Sequence, residues 1–519
     1  MQLHWLILVV GVLATIARSQ PYPCSGETYR VRKAWSMLSS SEKSLFQAAL
    51  DASMAAGYYH HFFEMHTEAT SSAEAHGCMF FYWHRKFLLG FENMLRSLSP
   101  SYACVTIPYW DYATLASNYV SNSCASIYSC ASDMINNLGG NGDPWSGGRT
   151  TWSAINGQFI SASRCVQQYP LNRFCQSHTA FINRQCMGCV PRDDLRQWGV
   201  PSESNIVGVF NQILGGSSFA TGKTFQEVTN NVQLGCHNAM HARMHGSMMT
   251  FNSPADLIFF LHHAQMDLMH TIYFKCIVAD TTPGKVPVLT DAQKRFASDY
   301  RLWTNCSRVW TNSVIRPTDP VRMFYSESGQ PSKNISDPTG PLYKFFASLP
   351  DSYYQYADSD DIKNGSYRYQ YTGFLASMLT RCKKFIVPWN AVMLQDDYNT
   401  STNPSYTDRC IDRPPLPCEV NQTSFMDYVS NLAGQREWTE AHLQMQLEAM
   451  VCSHHHECLG GCFDYSDEFK ALFRPKGPPR CKVIIDRIAK RRMTIELRNW
   501  RQIMAKYFPC PDAEIKAQA

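Results

Sequence analysis

Residues 237–270 read HNAMHARMHGSMMTFNSPADLIFFLHHAQMDLMH and hold six histidines inside the apolar spacing of packed helices. His237 and His241 stand four apart, so on a helix their rings lie one turn above the other and close on one ion from the same face. A third ligand has to come from elsewhere. Ser253, Pro254, Ala255 and Asp256 predict a helix start, with Ser253 as N-cap, proline in the first turn and Asp256 on the positive end of the dipole. The helix then runs through Leu257, Phe259, Phe260, His263, Met266 and Asp267. Helical neighbours point about 100° apart, so only one of His262 and His263 faces the ion squarely. The stretch predicts a three-imidazole metal site on packed helices.

The metal follows from what is missing. Zinc proteases carry His-Glu-x-x-His with the Glu as general base; Asn238 stands in that place here, which removes the hydrolytic reading. Imidazole alone suits copper as well as zinc. A second triad upstream decides between them. Ser39 and Glu42 have capping-box spacing before a helical apolar pattern, or a pair of helices broken near Gly57, that ends at His66. His76 follows in a loop after ATSSAEA, and WHRKFLLGFENMLRSL sets His84, Phe87, Leu88, Phe91 and Leu95 on one helical face. An isolated histidine is more often a satisfied core or surface residue than a ligand, but two triads in one chain shift those odds.

Around these triads the chain has the layout of an exported protein. An apolar run from Leu6 to Ile16 followed by Ala17-Arg18-Ser19 predicts a signal peptide over 1–19. No later stretch has the apolar length of a membrane span, and the last residues, AEIKAQA, show no lipid-anchor signal. The 20 cysteines are even in number, as disulfides in an oxidising compartment require, and sequons at Asn305, Asn334, Asn364, Asn399 and Asn421 agree with that route. Residues 113–190 hold Cys124, Cys130, Cys165, Cys175, Cys186 and Cys189 amid Gly, Asn and Ser. They predict a stapled, loop-rich insertion, with disulfides preferred to zinc at Cys186-x-x-Cys189.

Beyond about residue 380 a Cys-rich tail begins, with linker-like YNTSTNPSYTDR and RPPLP, and SHHHEC at 453–458 reads as a solvated loop between disulfides. The domains expected are thus 20–380, with the insertion inside it, and 381–519. Residues 470–510 carry 12 Lys or Arg against Asp486 and Glu496, a net of +10 in a chain of +4, which leaves about −6 elsewhere. A positive tail on an acidic body favours docking or an acidic partner; nucleic acid is not expected as the partner of an exported protein.

WHRKFLLGFE, IPYWDY (residues 107–112), HNAMH and SPADLIFFLHHAQMD, in this order, resemble the signatures of the tyrosinase, catechol oxidase and molluscan haemocyanin superfamily of type-3 binuclear copper proteins. The resemblance covers residues 28–280. VRKAWSMLSSSE is similar to the family's N-terminal element, and Tyr-x-Tyr pairs at 354/356, 367/369 or 369/371 mark the end of its core. The style of the second motif looks most like secreted invertebrate tyrosinases, flatworm ones among them. The resemblance implies a mainly α fold, an antiparallel helical bundle holding two copper ions. It assigns His66, His76 and His84 to one copper and His237, His241 and His263 to the other, with His262 left unligated and Phe259 packed on a ligand ring. Asp267 and His245 are expected behind the ligands.

The implied activity is O2-dependent hydroxylation of phenols such as tyrosine, and oxidation of catechols to o-quinones, on small phenols or on protein tyrosine and DOPA side chains. Melanin formation or quinone cross-linking is the implied purpose. The resemblance also places Asn238, and Glu227 ten residues before His237, where a basic water is oriented for phenol deprotonation. Several positions depart from the family. His76 and His84 stand one residue closer than usual, Met79 and Leu257 replace common prolines, His245 replaces a glycine, and Glu74 stands where some relatives join a cysteine to the middle ligand. The alternatives are a catechol oxidase only, a haemocyanin-like oxygen carrier, and a copper-free matrix protein. Relatives often carry a C-terminal domain that covers the copper site, and residues 381–519 are the candidate for one here.

Overall fold

A computed structural model describes residues 21–511 except 28, 146–149, 154–158, 216–222, 280–288, 309–310, 328–330, 383–409 and 411–412. The expected signal peptide, the sequon at Asn399 and the YNTSTNPSYTDR stretch lie outside the described residues. The fold is mainly α, and its short strands are peripheral. Ser39 and Glu42 form the expected reciprocal capping box at the start of helix Ser40–Ala55. Gly57, at φ +74°, breaks that helix from Tyr59–Thr67, the helix of His66, because a left-handed turn there costs glycine nothing. His76 lies in a turn between helices, as expected, and the ATSSAEA stretch before it forms a short helix, Ala69–Ala75, capped by the Glu68 carboxylate on the Ser71 N–H at 2.9 Å. Helix Phe80–Ser97 carries His84 and is buried on every side, packed on Ser40–Ala55, Ala69–Ala75 and Ile258–Tyr273.

The start of the His263 helix differs from expectation. Ser253–Ala255 forms a separate 3-10 turn, and the α-helix runs Ile258–Tyr273. Asp256 rather than Ser253 takes its first N–H, with Oδ1 accepting from Ile258 at 3.0 Å. The carboxylate is fixed there by a two-pronged ion pair with Arg192, at 2.9 and 2.7 Å, whose guanidinium also donates to the Leu138 and Gly140 carbonyls. The end of the insertion therefore sets where the third ligand helix begins.

Between Phe225–Val232 and Asn238–Met244 the helix is interrupted at Gly235, whose ψ of −126° is not helical. A β-carbon there would lie 2.4 Å from the Gln212 amide, which accepts from the Cys236 N–H at 3.1 Å. Of the Tyr-x-Tyr pairs, Tyr367–Tyr369 closes the core, pairing in parallel with Arg30–Arg32.

Three disulfides staple the insertion, Cys124–Cys130, Cys165–Cys189 and Cys175–Cys186, so the Cys-x-x-Cys pair is divided between two of them. Cys276–Cys382 ties the end of the His263 helix to the last described residue before 383. The tail is helical, with Pro417–Gly434, Glu440–Cys458, Asp467–Phe473, Arg480–Ala489 and Trp500–Tyr507 stapled by Cys452–Cys481 and Cys458–Cys510. SHHHEC is not a solvated loop: it is the end of helix Glu440–Cys458, and His454 and His455 are buried.

The tail seats on the body, but not through its charge. Lys470, Arg480, Lys482 and Arg501 pair with Asp464, Glu448, Asp486 and Glu457, all inside the tail. The contacts that cross include Tyr119 Oη to the Leu459 carbonyl at 3.0 Å, Tyr465 Oη to the Leu234 carbonyl at 3.2 Å, the Cys481 N–H to Glu203 at 3.0 Å, His455 Nε2 to the Val200 carbonyl at 2.9 Å and Lys476 Nζ to the neutral Asn230 amide oxygen at 3.1 Å. No helix among the described residues is long and apolar enough to cross a membrane.

Candidate metal centre

Five of the six histidine rings of the two triads are turned by a bond at Nδ1, and His263 has a partner at neither nitrogen. His66 Nδ1 donates to the Phe251 carbonyl at 2.7 Å, His76 to Ser72 at 2.9 Å, His84 to Phe80 at 3.0 Å and His241 to Met248 at 2.6 Å. His237 Nδ1 meets the Asn238 side-chain oxygen at 2.8 Å. A bond at Nδ1 fixes the tautomer and leaves Nε2 as the electron-pair donor. The Nε2 atoms of His66, His84, His237 and His263 are buried with no hydrogen-bond partner. An unsatisfied buried polar atom costs about 1–3 kcal/mol, so each of these four nitrogens calls for a partner.

The rings converge. His66 lies 4.9 Å from His76 and 5.6 Å from His84 between centroids; His237 lies 4.5 Å from His241 and 5.1 Å from His263. His84 and His263 stack at 4.0 Å, which joins the two triads into one cluster. Phe259 packs 4.2 Å from His263 and 5.1 Å from His66, and Phe80, which the sequence did not single out, lies 4.8 Å from both His84 and His237. Burial first, and neighbouring imidazoles second, hold His66, His84, His237 and His263 well below the ordinary histidine range. Burial lowers His76 to about 4 and His241 to about 3. All six are neutral at pH 7, the state in which imidazole binds a metal.

Residues 56–275 match the common central domain of tyrosinase. The chain carries a tyrosinase central domain, within the superfamily of type-3 copper proteins. It is 27% identical over 282 residues to a tyrosinase-like protein of Diaporthe leptostromiformis, covering 51% of this chain and 67% of that one. It is 28% identical over 253 residues to the tyrosinase of Streptomyces glaucescens (46% and 80%) and 29% over 263 residues to that of Streptomyces lincolnensis (50% and 86%). A polyphenol oxidase from Thermothelomyces thermophila aligns at 18% identity over 67% of this chain and 90% of that one, with a TM-score of 0.36. The tyrosinase domain implies two coppers, and a neutral, nitrogen-only donor set with orphaned Nε2 atoms fits them.

In this tyrosinase domain the other expected site residues are placed as follows. His262 and His263 do not diverge from the group as helical neighbours were expected to: His262 lies 4.5 Å from His241 and 5.1 Å from His237. Its Nδ1 is bonded to the Tyr112 hydroxyl, a partner the sequence did not announce. Glu227 is not brought to the centre, because its carboxylate accepts the Thr224 N–H at 2.8 Å and closes the capping box of helix Phe225–Val232. His245 is likewise turned away, its ring against Trp198 at 4.1 Å. Glu74 is buried among Arg308, Tyr353 and the Arg322 N–H, here at 3.2 Å.

Asp267 touches no imidazole of the triads. It accepts from Arg85 Nε at 2.6 Å, Arg32 at 3.4 Å, Tyr369 at 2.7 Å and Tyr367, and so locks the helix of His84, at the residue next to that ligand candidate, to the helix of His263, one turn after it. Asp267→Ala is expected to cost about 3–5 kcal/mol, since it leaves Arg85 and Arg32 charged and buried without this partner. A urea midpoint within error of wild type would show that the pair contributes no net stability.

The tail reaches this centre. Phe473, last residue of helix Asp467–Phe473, places its ring 5.6 Å from His241, 5.7 Å from His76 and 5.0 Å from Phe251, backed by Phe469 at 4.4 Å. His76 is the half-buried member of the six, so the ring lies on the side from which the cluster is reached.

Proposed function

We propose that this chain is a secreted binuclear copper phenol oxidase. On this reading it hydroxylates monophenols such as tyrosine and oxidises catechols to o-quinones with O2, serving melanin formation or quinone cross-linking. His66, His76 and His84 hold one copper and His237, His241 and His263 the other. The observation that carries the reading is the set of orphaned, buried Nε2 atoms on converging rings, of which His66 and His84 are turned by an Nδ1 bond to a carbonyl and His237 by one to Asn238. Bound copper supplies the reduction of O2 and the oxidation of the phenol.

The chain's own residues position the substrate and move its proton. Phe259 and Phe80 wall the cluster and keep bulk water out. A free phenol has a pKa of about 10 and must lose its proton to be hydroxylated. Asn238, whose oxygen is taken by His237, uses its amide N–H to orient the water that accepts that proton; with Glu227 committed to a helix cap, this role rests on Asn238 alone.

Export is supported by eight disulfides among the described residues and by exposed Asn305, Asn334, Asn364 and Asn421. A body over 20–380 and a tail over 381–519 are supported by Cys452–Cys481 and Cys458–Cys510, which close within the tail, while Cys276–Cys382 joins the two at their boundary. The oxygen-carrier reading is favoured by Phe473 over the ligands, because a carrier needs a closed substrate route.

Oxygen uptake by the copper-loaded chain on tyrosine and on its catechol, with wild type and Phe473→Ala, separates these readings. Uptake with neither substrate in either protein would overturn the oxidase. Asn238→Ala is expected to slow tyrosine hydroxylation ~10²-fold while changing catechol oxidation much less. Equal losses on the two substrates would show that Asn238 only seats His237.

A further inference from the structure

We propose that His60, His61 and His178 form a further metal site, apart from the triads above, which takes a Zn2+ ion and clips the loop closed by Cys175–Cys186 to the helix of His66. His60 and His61 open that helix and are 2% and 1% exposed; His178 begins helix His178–Ile182 inside the insertion and is half-buried, which leaves a path for an ion. The rings lie 4.3 Å (His60 to His61), 5.0 Å (His61 to His178) and 5.3 Å (His60 to His178) apart, and one nitrogen of each lies within 4.8 Å of the others. His60 Nε2 is 3.2 Å from His178 Nδ1. Two imidazole nitrogens sharing a tetrahedral Zn2+ at about 2.0–2.1 Å stand roughly 3.4 Å apart, so this pair already has the spacing. Closing the third nitrogen onto the ion takes a shift of about an ångström.

Glu64 gives the cluster the support a metal site needs. Its Oε2 lies 2.9 Å from His61 Nδ1, and its Oε1 accepts the backbone N–H of His178 at 3.0 Å. A carboxylate behind an imidazole orients the ring, raises its basicity and leaves the other nitrogen as the ligand atom. The same carboxylate ties the loop to the helix before any ion binds. Aromatic walls close the rest: Phe181 lies 5.4 Å from His60 and Tyr325 5.4 Å from His61. Burial, followed by the neighbouring His61 and His178, lowers His60 to about 2, so it is present in the form that binds metal. Three neutral imidazoles and a solvent-facing fourth position make a set that Zn2+ accepts.

The test is zinc content and affinity of the copper-loaded full chain, measured by elemental analysis and by competition with a chromophoric chelator. Wild type is expected to hold one Zn2+ per chain. His178→Ala and the milder His60→Gln, each folded by circular dichroism, should bind it at least ~100-fold more weakly with copper content unchanged. Equal zinc in wild type and both variants, or zinc found only on the histidines of the two triads, would overturn the site. Copper content and oxygen uptake are read separately, so failure of the zinc site and failure of the oxidase reading are distinguishable.

Discussion

His263→Ala is expected to release one of the two coppers and to cut oxidation of phenols and catechols alike by more than ~100-fold, beyond what loss of a supporting partner behind a ligand costs. His262→Ala is expected to keep both coppers and most of its activity. The contrast is sharp because the two rings sit equally near His237, at 5.1 Å each, and both Nε2 atoms lack a partner. What separates them is their surroundings. His262 is anchored through Nδ1 to Tyr112, whereas His263 lies against Phe259 and stacks on His84 of the other triad, where it faces both halves of the centre. Copper analysis of the two folded variants checks this. Equal copper loss from both would sink the assignment of His263 over His262.

Opening the tail should have the opposite effect on rate. Phe473 lies against His76 and His241, and a substrate that enters from this side has to displace the ring first. Withdrawing a buried phenylalanine costs about 1.5–3 kcal/mol, and this ring is half-buried, so the lower figure applies. Phe473→Ala is therefore expected to raise kcat/KM for catechol by about 10-fold at constant copper content. Proteolytic removal of the tail should do at least as much. Unchanged or lower turnover in a copper-loaded Phe473→Ala protein would show that the ring is packing and not a gate. Salt is expected to matter little to this cover, since the tail's cations pair mainly within the tail.

The capping box at Ser39 and Glu42, the break at Gly57 and the helices bearing His66, His84, His241 and His263 were legible because each rests on a local rule: a side chain reaching an N–H three residues away, a left-handed turn, or a 3.6-residue period. The His237 and His241 pair was legible for a similar reason, since a spacing of four is written along one stretch of helix, whereas His66, His76 and His84 stand on different elements. The misreadings share a different cause. Ser253 had the chemistry of an N-cap, but Arg192, far away in sequence, fixed Asp256 and moved the helix start. Glu227 was near enough to His237 in sequence to suggest a shared water, yet a local capping bond with Thr224 claims its carboxylate.

The sequence by itself determined the helical class, the concentration of histidines on the core helices and the disulfide-rich character of the chain, because periodicity, spacing and residue type are local quantities. Only the tertiary structure decided what surrounds the ligands: the Asp267 lock on Arg85 and Arg32, Tyr112 behind His262, the Phe473 ring, and the meeting of His60 and His61 with His178. Each of these joins residues more than 100 positions apart in sequence, and no periodic pattern encodes such a pairing. They are selected by which buried charges and rings find partners once the helices pack, and that choice is a property of the whole fold.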